Sequence, residues 1–282
     1  MFRSMGGAAF SSLFKATEFA PLTSPSTETV PDGANAIHIK QAIGGGSGGV
    51  NGGTYDKSGG ESAGAGGTSG AYVSDKIFYV NAGETITFTV GQGGVQSNTF
   101  NPDDNHFPNY IGDDGSDTTI VGSSSGNVAV LGGGNAGGSI GGSNTPNTGP
   151  LRTNYAGTGG TATLSASVTS GNFIEANGAI SAISPSTASL QTGIIGIFNQ
   201  SGDGVAQAIP PNGLNCGGDD CTISGQPGAS SYDGNISGGT GNSGTPGTPG
   251  GTGAGGGGGG NPFSGGGNGG NGEIIYRYIK VL

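Results

Sequence analysis

The sequence predicts an all-β fold, a small β-sandwich with glycine-rich segments of polyproline-II and polyglycine-II type packed beside it. Three observations carry that expectation. The 282 residues include 67 Gly and 14 Pro, only 31% are hydrophobic, and Trp is absent. That supply of large apolar side chains cannot line a core along the whole chain. Short stretches nonetheless alternate apolar and polar residues with the period of a half-buried strand. Finally, Gly238, Gly241, Gly244, Gly247, Gly250, Gly253, Gly256 and Gly259 fall on every third position. Three residues per turn is the repeat of a polyproline-II helix. Glycine has no Cβ, so extended chains of this kind can approach closely and pack backbone on backbone.

Taken in order, residues 1–28 are mixed, with Phe2, Phe10, Leu13, Phe14 and Phe19 at loosely helical spacing. A short helix is expected there if anywhere, and the segment reads as a docking or anchoring piece that ends in an extended Pro/Ser connector. Residues 29–282 read as one glycine-rich β-domain. Pro31-Asp32-Gly33 is a turn. Ala36 to Ile43 then alternates, with Ile37, Ile39 and Ile43 on one face and His38 and Lys40 on the other. Residues 71–80 and 84–90 read as a hairpin across Asn81-Ala82-Gly83, with Ile86, Phe88 and Val90 inward and Thr85, Thr87 and Thr89 outward. Strands follow at 118–121 and 127–131. Residues 161–222 are poor in glycine and look like an insert. The chain ends on a strand with Ile275, Ile279 and Val281 on one face and Ile274, Tyr276 and Tyr278 on the other. That last strand has to return to the sheet to be stable, so the triplet-glycine stretch 238–259 should cross the domain as a straight rod rather than tether two domains.

Certain segments carry a resemblance. VPDGANAIHIKQAIGGGSGG, YVNAGETITFTVGQGG, VLGGGNAGG and GNGGNGEIIYRYI resemble, in order and spacing, the glycine-rich domain of bacteriophage tail-fibre and spike proteins. The match covers roughly residues 29–140 and 255–282. It implies stacked polyglycine-II helices that present variable loops to a host surface, as in T-even-type fibre-tip adhesins.

Charge narrows the partners. A net charge of −10 with eight Lys and Arg leaves no basic stripe to neutralise phosphates, so nucleic acid is not expected. No apolar run approaches the ~20 residues of a membrane span. Nor is an enzyme expected. The two histidines have no nucleophile at a suggestive spacing, no Gly-x-Ser-x-Gly elbow occurs, and the acidic pairs Asp103-Asp104, Asp113-Asp114 and Asp219-Asp220 lie among turn residues. No cofactor is expected. Two segments, IGDDGSD and CGGDDC, offer oxygen ligands of the kind calcium takes, without the spacing of an EF-hand. Cys216 and Cys221 are the only cysteines. They are carried as a disulfide, with free thiols and a metal site as the other readings.

The best binding candidate is the stretch 96–117. Phe100, His106, Phe107 and Tyr110 offer stacking faces, and Asp103 and Asn105 offer hydrogen bonds to carbohydrate or protein. The competing reading folds these aromatics back as a local mini-core. The resulting expectation is a virion protein of a tail fibre, spike or tail tip, on the surface of an extracellular particle. Residues 1–28 would dock it to other virion proteins. Its loops would meet a glycan or outer-membrane receptor, in a homo-oligomer such as a trimer. The rivals are a decoration or connector protein without receptor, a glycine-rich ice-binding protein, and a collagen-like trimeric stalk.

Overall fold

The computed structural model describes residues 13–49, 53–55, 60–62, 66–96, 110–136, 138–140, 153–155, 157–183, 189–191, 250–254 and 266–282. Among these there is no helix. The strands run, in chain order, β1 (Ala20–Leu22), β2 (Ser26–Thr29), β3 (Ala36–Ile43), β4 (Gly53–Tyr55), β5 (Gly60–Ser62), β6 (Tyr72–Tyr79), β7 (Thr85–Thr89), β8 (Tyr110–Ile111), β9 (Thr118–Gly122), β10 (Gly126–Leu131), β11 (Gly138–Ile140), β12 (Thr153–Tyr155), β13 (Ala162–Leu164), β14 (Asn172–Ile174), β15 (Ile180–Ala182), β16 (Ser189–Gln191) and β17 (Glu273–Ile279). They form two five-stranded sheets, β1-β17-β3-β6-β16 and β13-β10-β9-β7-β2, with smaller pairings β12-β11-β8, β14-β15 and β4-β5.

The two large sheets face each other across one core. Ile37, Ile39, Val73, Phe78, Ile274, Tyr276 and Tyr278 come from the first sheet, and Ile86, Phe88, Ile120, Val128 and Leu131 from the second. Phe88 and Tyr276 meet across the gap with ring centroids 4.5 Å apart. As the alternation predicted, Ile86, Phe88 and Val90 are buried while Thr85, Thr87 and Thr89 are exposed. The two faces of β17 also separate as read: Ile274, Tyr276 and Tyr278 join this core, and Ile279 joins a second cluster on the outer face with Ala16, Ile77, Val168 and Phe173.

Several expectations need correction. Residues 13–29 hold no helix; β1 pairs with β17 and β2 with β7, so the boundary drawn at residue 28 falls inside an edge strand of the sandwich. The segment 71–90 is no hairpin. β6 and β7 lie in different sheets, and the turn 81–83, with Gly83 at φ +78°, carries the chain from one layer to the other. Ile43 does not share the face of Ile37 and Ile39. The β3–β17 register shifts opposite Lys40, between Ile275 and Tyr276, and Ala42 takes the core position instead. Of the insert, β13 and β16 each close one edge of a large sheet.

The glycine segments prolong the strands rather than lying beside the sheets. Residues 44–49 continue β3, and 66–71 lead into β6. Residues 91–96 continue β7, 112–117 lead into β9, 132–136 continue β10, and 266–272 lead into β17. The sandwich register runs on into them. Ile43 pairs with Tyr72, and beyond it Gly44 N donates to Ala71 O (3.0 Å) and Ser47 N to Thr68 O (2.9 Å). Between those donors the chain turns to other neighbours. Gly45 N and Gly48 N donate to Ser116 O and Asp113 O (both 3.0 Å), and Gly46 N and Gly49 N to Gly270 O and Gly267 O (both 2.8 Å). Three partners served in rotation, each every third residue, is the bonding a helix of three residues per turn makes with its neighbours. The central segment also accepts, from Gly134 N at Gly45 O and from Gly94 N at Gly46 O (both 2.8 Å). Sandwich layers stand about 10 Å apart because side chains fill the gap. Where the side chains stop, the layers close and bond directly.

The straight rod expected at 238–259 is interrupted where it is described. Ala254 N donates back to Gly251 O (2.9 Å) and Gly253 has φ +64°, so the chain turns at 251–254. This piece forms a third layer over the first sheet's extension, accepting from Gly70 N at Gly253 O and from Gly270 N at Ala254 O. The remaining residues of 238–259 lie outside the described residues.

Candidate functional site

Chain direction gives the domain two unlike poles. At one pole sit the tight turns 31–33, 81–83 and 123–125, together with residues 13–17 and Leu282; Thr17 N donates to Tyr278 O, and Leu282 N to Asn172 O. At the other pole the glycine bundle ends. The connections 50–65, 97–111, 137–156 and 255–265 leave from it and return to it. Residues 192–249 depart from the same end, because β16 runs antiparallel to β6 with Gln191 opposite Tyr72. Two small pairings belong to this pole: β4 with β5, and β11 between β8 and β12.

Of the sequence-derived binding residues, Tyr110 alone is among the described residues. Phe100, Asp103, Asn105, His106 and Phe107 lie outside the described residues, as do Cys216 and Cys221. Tyr110 opens β8 and pairs with Ser139. The acids suggested for calcium serve other ends. Asp114 Oδ1 accepts from Ala136 N (2.6 Å) and Asp117 Oδ1 from Gly133 N (3.0 Å), so both tie one glycine segment to the next. No group of three potential metal ligands occurs among the described residues.

A second site was not read from the sequence. The β14–β15 hairpin and residues 165–171 cross the outer face of the first sheet, and a cleft of about 300 Å³ opens beneath them. On its floor Arg277, only 8% exposed, makes a forked pair with Glu175, Nη1 to Oε2 at 2.6 Å and Nη2 to Oε1 at 3.3 Å. Its Nε donates to His38 Nδ1 (3.2 Å), and its guanidinium lies over the rings of Phe19 (4.2 Å) and Phe173 (5.1 Å). His38 Nε2 faces Asp75 Oδ1 at 3.6 Å. Burial pushes the imidazole down to about 4, and the adjacent Arg277 charge pushes the same way, so His38 is neutral at pH 7. The Arg277 hydrogen bonds hold the Glu175 carboxyl below the usual range, against burial. Both ring nitrogens of His38 are thus engaged, which leaves no free lone pair to act as a general base.

A family model of a glycine-rich domain matches residues 22–279. The chain belongs to this glycine-rich domain family. The family span starts at the end of β1 and closes with β17, so apart from the first two residues of β1 it takes in both large sheets, every described glycine segment and the glycine-poor stretch 161–222. No curated protein matches the chain.

What hid the cleft from sequence reading is separation along the chain. His38 and Arg277 stand 239 residues apart, and Glu175 and Arg277 102 apart. The one available signal was Arg277 itself, a lone guanidinium between Tyr276 and Tyr278 in a strand apolar on both faces. Such a residue needs a partner.

Proposed function

We propose that this glycine-rich domain is a non-enzymatic display platform on a virion, as a component of a tail fibre, spike or tail tip. Its bundle pole would face the host and its turn pole the particle. The single observation behind this reading is the polarity of the chain. The described residues that bracket the aromatic stretch, Gln96 and Tyr110, belong to the bundle pole, while residues 13–17, which follow the Phe-bearing segment in sequence, belong to the opposite one.

A platform of this kind needs stiffness, because loops held in fixed relative positions lose less entropy on binding than loose ones. Interlayer backbone bonds between segments without side chains supply it. Each copy can bind weakly if several act together, through effective concentration, and a homo-oligomer such as a trimer provides that. A receptor that is a surface glycan or an outer-membrane protein fits the Asn, Asp and aromatic content of 97–109.

Immunogold labelling tests the reading. Antibody raised against the purified chain is applied to extracellular particles from the source culture and followed by electron microscopy. Gold confined to fibres or a tail tip is the expected result. Particles that carry no label at all overturn it, and label spread over the capsid favours a decoration protein. A chain lacking residues 1–12 should fold, with an unchanged melting temperature, and fail to join particles.

A further inference from the structure

The cleft beneath the β14–β15 hairpin has features that structural clamping alone does not require. Its lining combines the apolar Ile77, Val168, Phe173 and Ile183 with Asp75, Glu175 and the hydroxyl-bearing Ser167, Thr169 and Ser181. Ser181 bonds to Glu175. Asp75 is the only non-glycine residue among those described with positive φ, at +47°, and it sits inside strand β6. Asp75 stands opposite Lys40, where β3 shifts register against β17, and β6 changes face at the same point, since Val73 and Phe78 both reach the core; its positive φ belongs to that irregularity. Here it aims a carboxylate, 46% exposed, along the mouth of the cleft towards His38.

Charge and size then define the ligand. The titratable groups facing the space are Asp75, Lys76, Glu175, Arg277 and His38. Two acids stand against two bases and a neutral imidazole, so the cleft offers no net charge to an ion. Its volume, about 300 Å³, lies at the lower bound of small-molecule sites and takes one ring rather than a chain. A compact molecule that carries both C–H faces and hydroxyls matches this mixed lining.

We propose that this cleft binds one neutral hexose unit, with Asp75 and the Ser167 and Thr169 hydroxyls accepting and donating to its ring hydroxyls and the Val168 side packing against its C–H face. This deepens the display reading, on which the natural source would be a terminal sugar of a surface glycan. The site is separate from residues 97–109, at the side of the domain rather than its bundle pole.

Saturation-transfer NMR on the full chain, with methyl glycosides of glucose, galactose, mannose and N-acetylglucosamine plus glucuronate and sialic acid as charged probes, tests it. At least one neutral glycoside should show transfer to its ring protons. Thr169→Trp, at an exposed rim position, should fill the cleft and reduce transfer at least tenfold without moving the melting temperature. Asp75→Asn keeps a residue that tolerates positive φ and should weaken binding by a factor of roughly ten, the loss of one charge-assisted hydrogen bond. A chain with 97–109 replaced by a Gly-Ser linker should keep the signal in full. No transfer from any neutral glycoside, transfer from the charged probes alone, or an undiminished signal in both Thr169→Trp and Asp75→Asn overturns the proposal. Loss of signal only on replacing 97–109 moves the sugar site to the bundle pole, leaving the display reading intact and this one refuted.

Discussion

Gly45→Ala is the sharpest test of the bundle. Gly45 lies in its central segment, fully enclosed. A Cβ there would stand 2.1 Å from Gln92 O and 2.7 Å from the carbon of the same carbonyl. Both distances are more than about 1 Å short of carbon van der Waals contact. The obstacle is backbone, so no side chain can swing aside. Segment 91–96 must move, and an N–H···O bond that lengthens by about 1 Å is lost. The bonds at stake are Ser116 N to Gln92 O (2.9 Å), Gly94 N to Gly46 O (2.8 Å) and Gly45 N to Ser116 O (3.0 Å). Two or three buried groups left unpaired at about 1–3 kcal/mol each give roughly 3–6 kcal/mol. Alanine restricts the unfolded chain, which returns up to about 1 kcal/mol. The net loss of about 3–5 kcal/mol is a large fraction of a typical domain's 5–15 kcal/mol. At about 2–4 °C per kcal/mol, melting should fall by roughly 6–20 °C. Urea denaturation followed by circular dichroism measures it. Gly83→Asn is the control: nothing lies within 4 Å of a Cβ there, φ is +78°, and Asn tolerates that region, so the change should stay within about 1 kcal/mol. If Gly45→Ala proves as mild as Gly83→Asn, the segments are not in backbone contact and the stiffness argument collapses.

Further outcomes follow from the charged groups. His38 should titrate near 4 in a proton–carbon NMR series. Its folded value lies below the unfolded one, so its contribution is present in full above about pH 6.5 and is lost as pH falls towards 4; titration above 6 would contradict the buried, Arg277-facing ring. For Glu84, burial alone would raise the carboxyl, but the Asn81, Ser125 and Ser124 amides and the Ser125 hydroxyl outweigh it and hold it low. That contribution is present above the unfolded value of about 4.5 and disappears as pH drops below it. Glu84→Ala should destabilise by about 2–3 kcal/mol by stripping partners from two turns, one in each connection at the turn pole. Arg277→Met should cost about 3 kcal/mol, since it leaves the Glu175 charge without its partner. Hydrogen exchange should then rise first at Ala16 and Val168, whose amides bond to Ile174 O and Ile77 O and hold the segments over the outer face.

Sequence reading recovered what a strand decides by itself. The inward set Ile86, Phe88 and Val90 and the two faces of β17 follow from alternation, which needs no knowledge of neighbours. What failed was pairing. Asn81-Ala82-Gly83 turns the chain equally well into a hairpin or into an arch between sheets, and only the burial of both neighbouring strands on one core selects the arch. The shift at Lys40 leaves no mark in composition, yet it exchanges Ala42 for Ile43 in the core. The triplet glycines at 238–259 drew attention because their spacing is regular. The bundle described in the structure is built mainly from shorter runs, 44–49, 91–94, 132–134 and 269–272, each adjoining a strand. Their position was visible all along, but a rod needs neighbours, and neighbours are a tertiary property.

A register problem links the two halves of the domain. A glycine segment carries no side chain that distinguishes one alignment from the next, so a bundle made of such segments alone would slip. In the sandwich a one-residue slip would turn Ile37, Ile39 and Phe78 out of the core, which fixes the alignment of β3 with β6 and β17. The same alignments continue past Ile43, so Gly44 meets Ala71 and Gly46 meets Gly270 with no further information in the glycines themselves. Ser47 and Thr68, whose hydroxyls lie 3.1 Å apart inside the bundle, repeat the instruction once more. The apolar core therefore specifies the bundle, and the bundle closes the open end of the core with backbone bonds. Each half makes up for what the other lacks, which is how a chain so poor in large side chains can hold one alignment from turn pole to bundle pole.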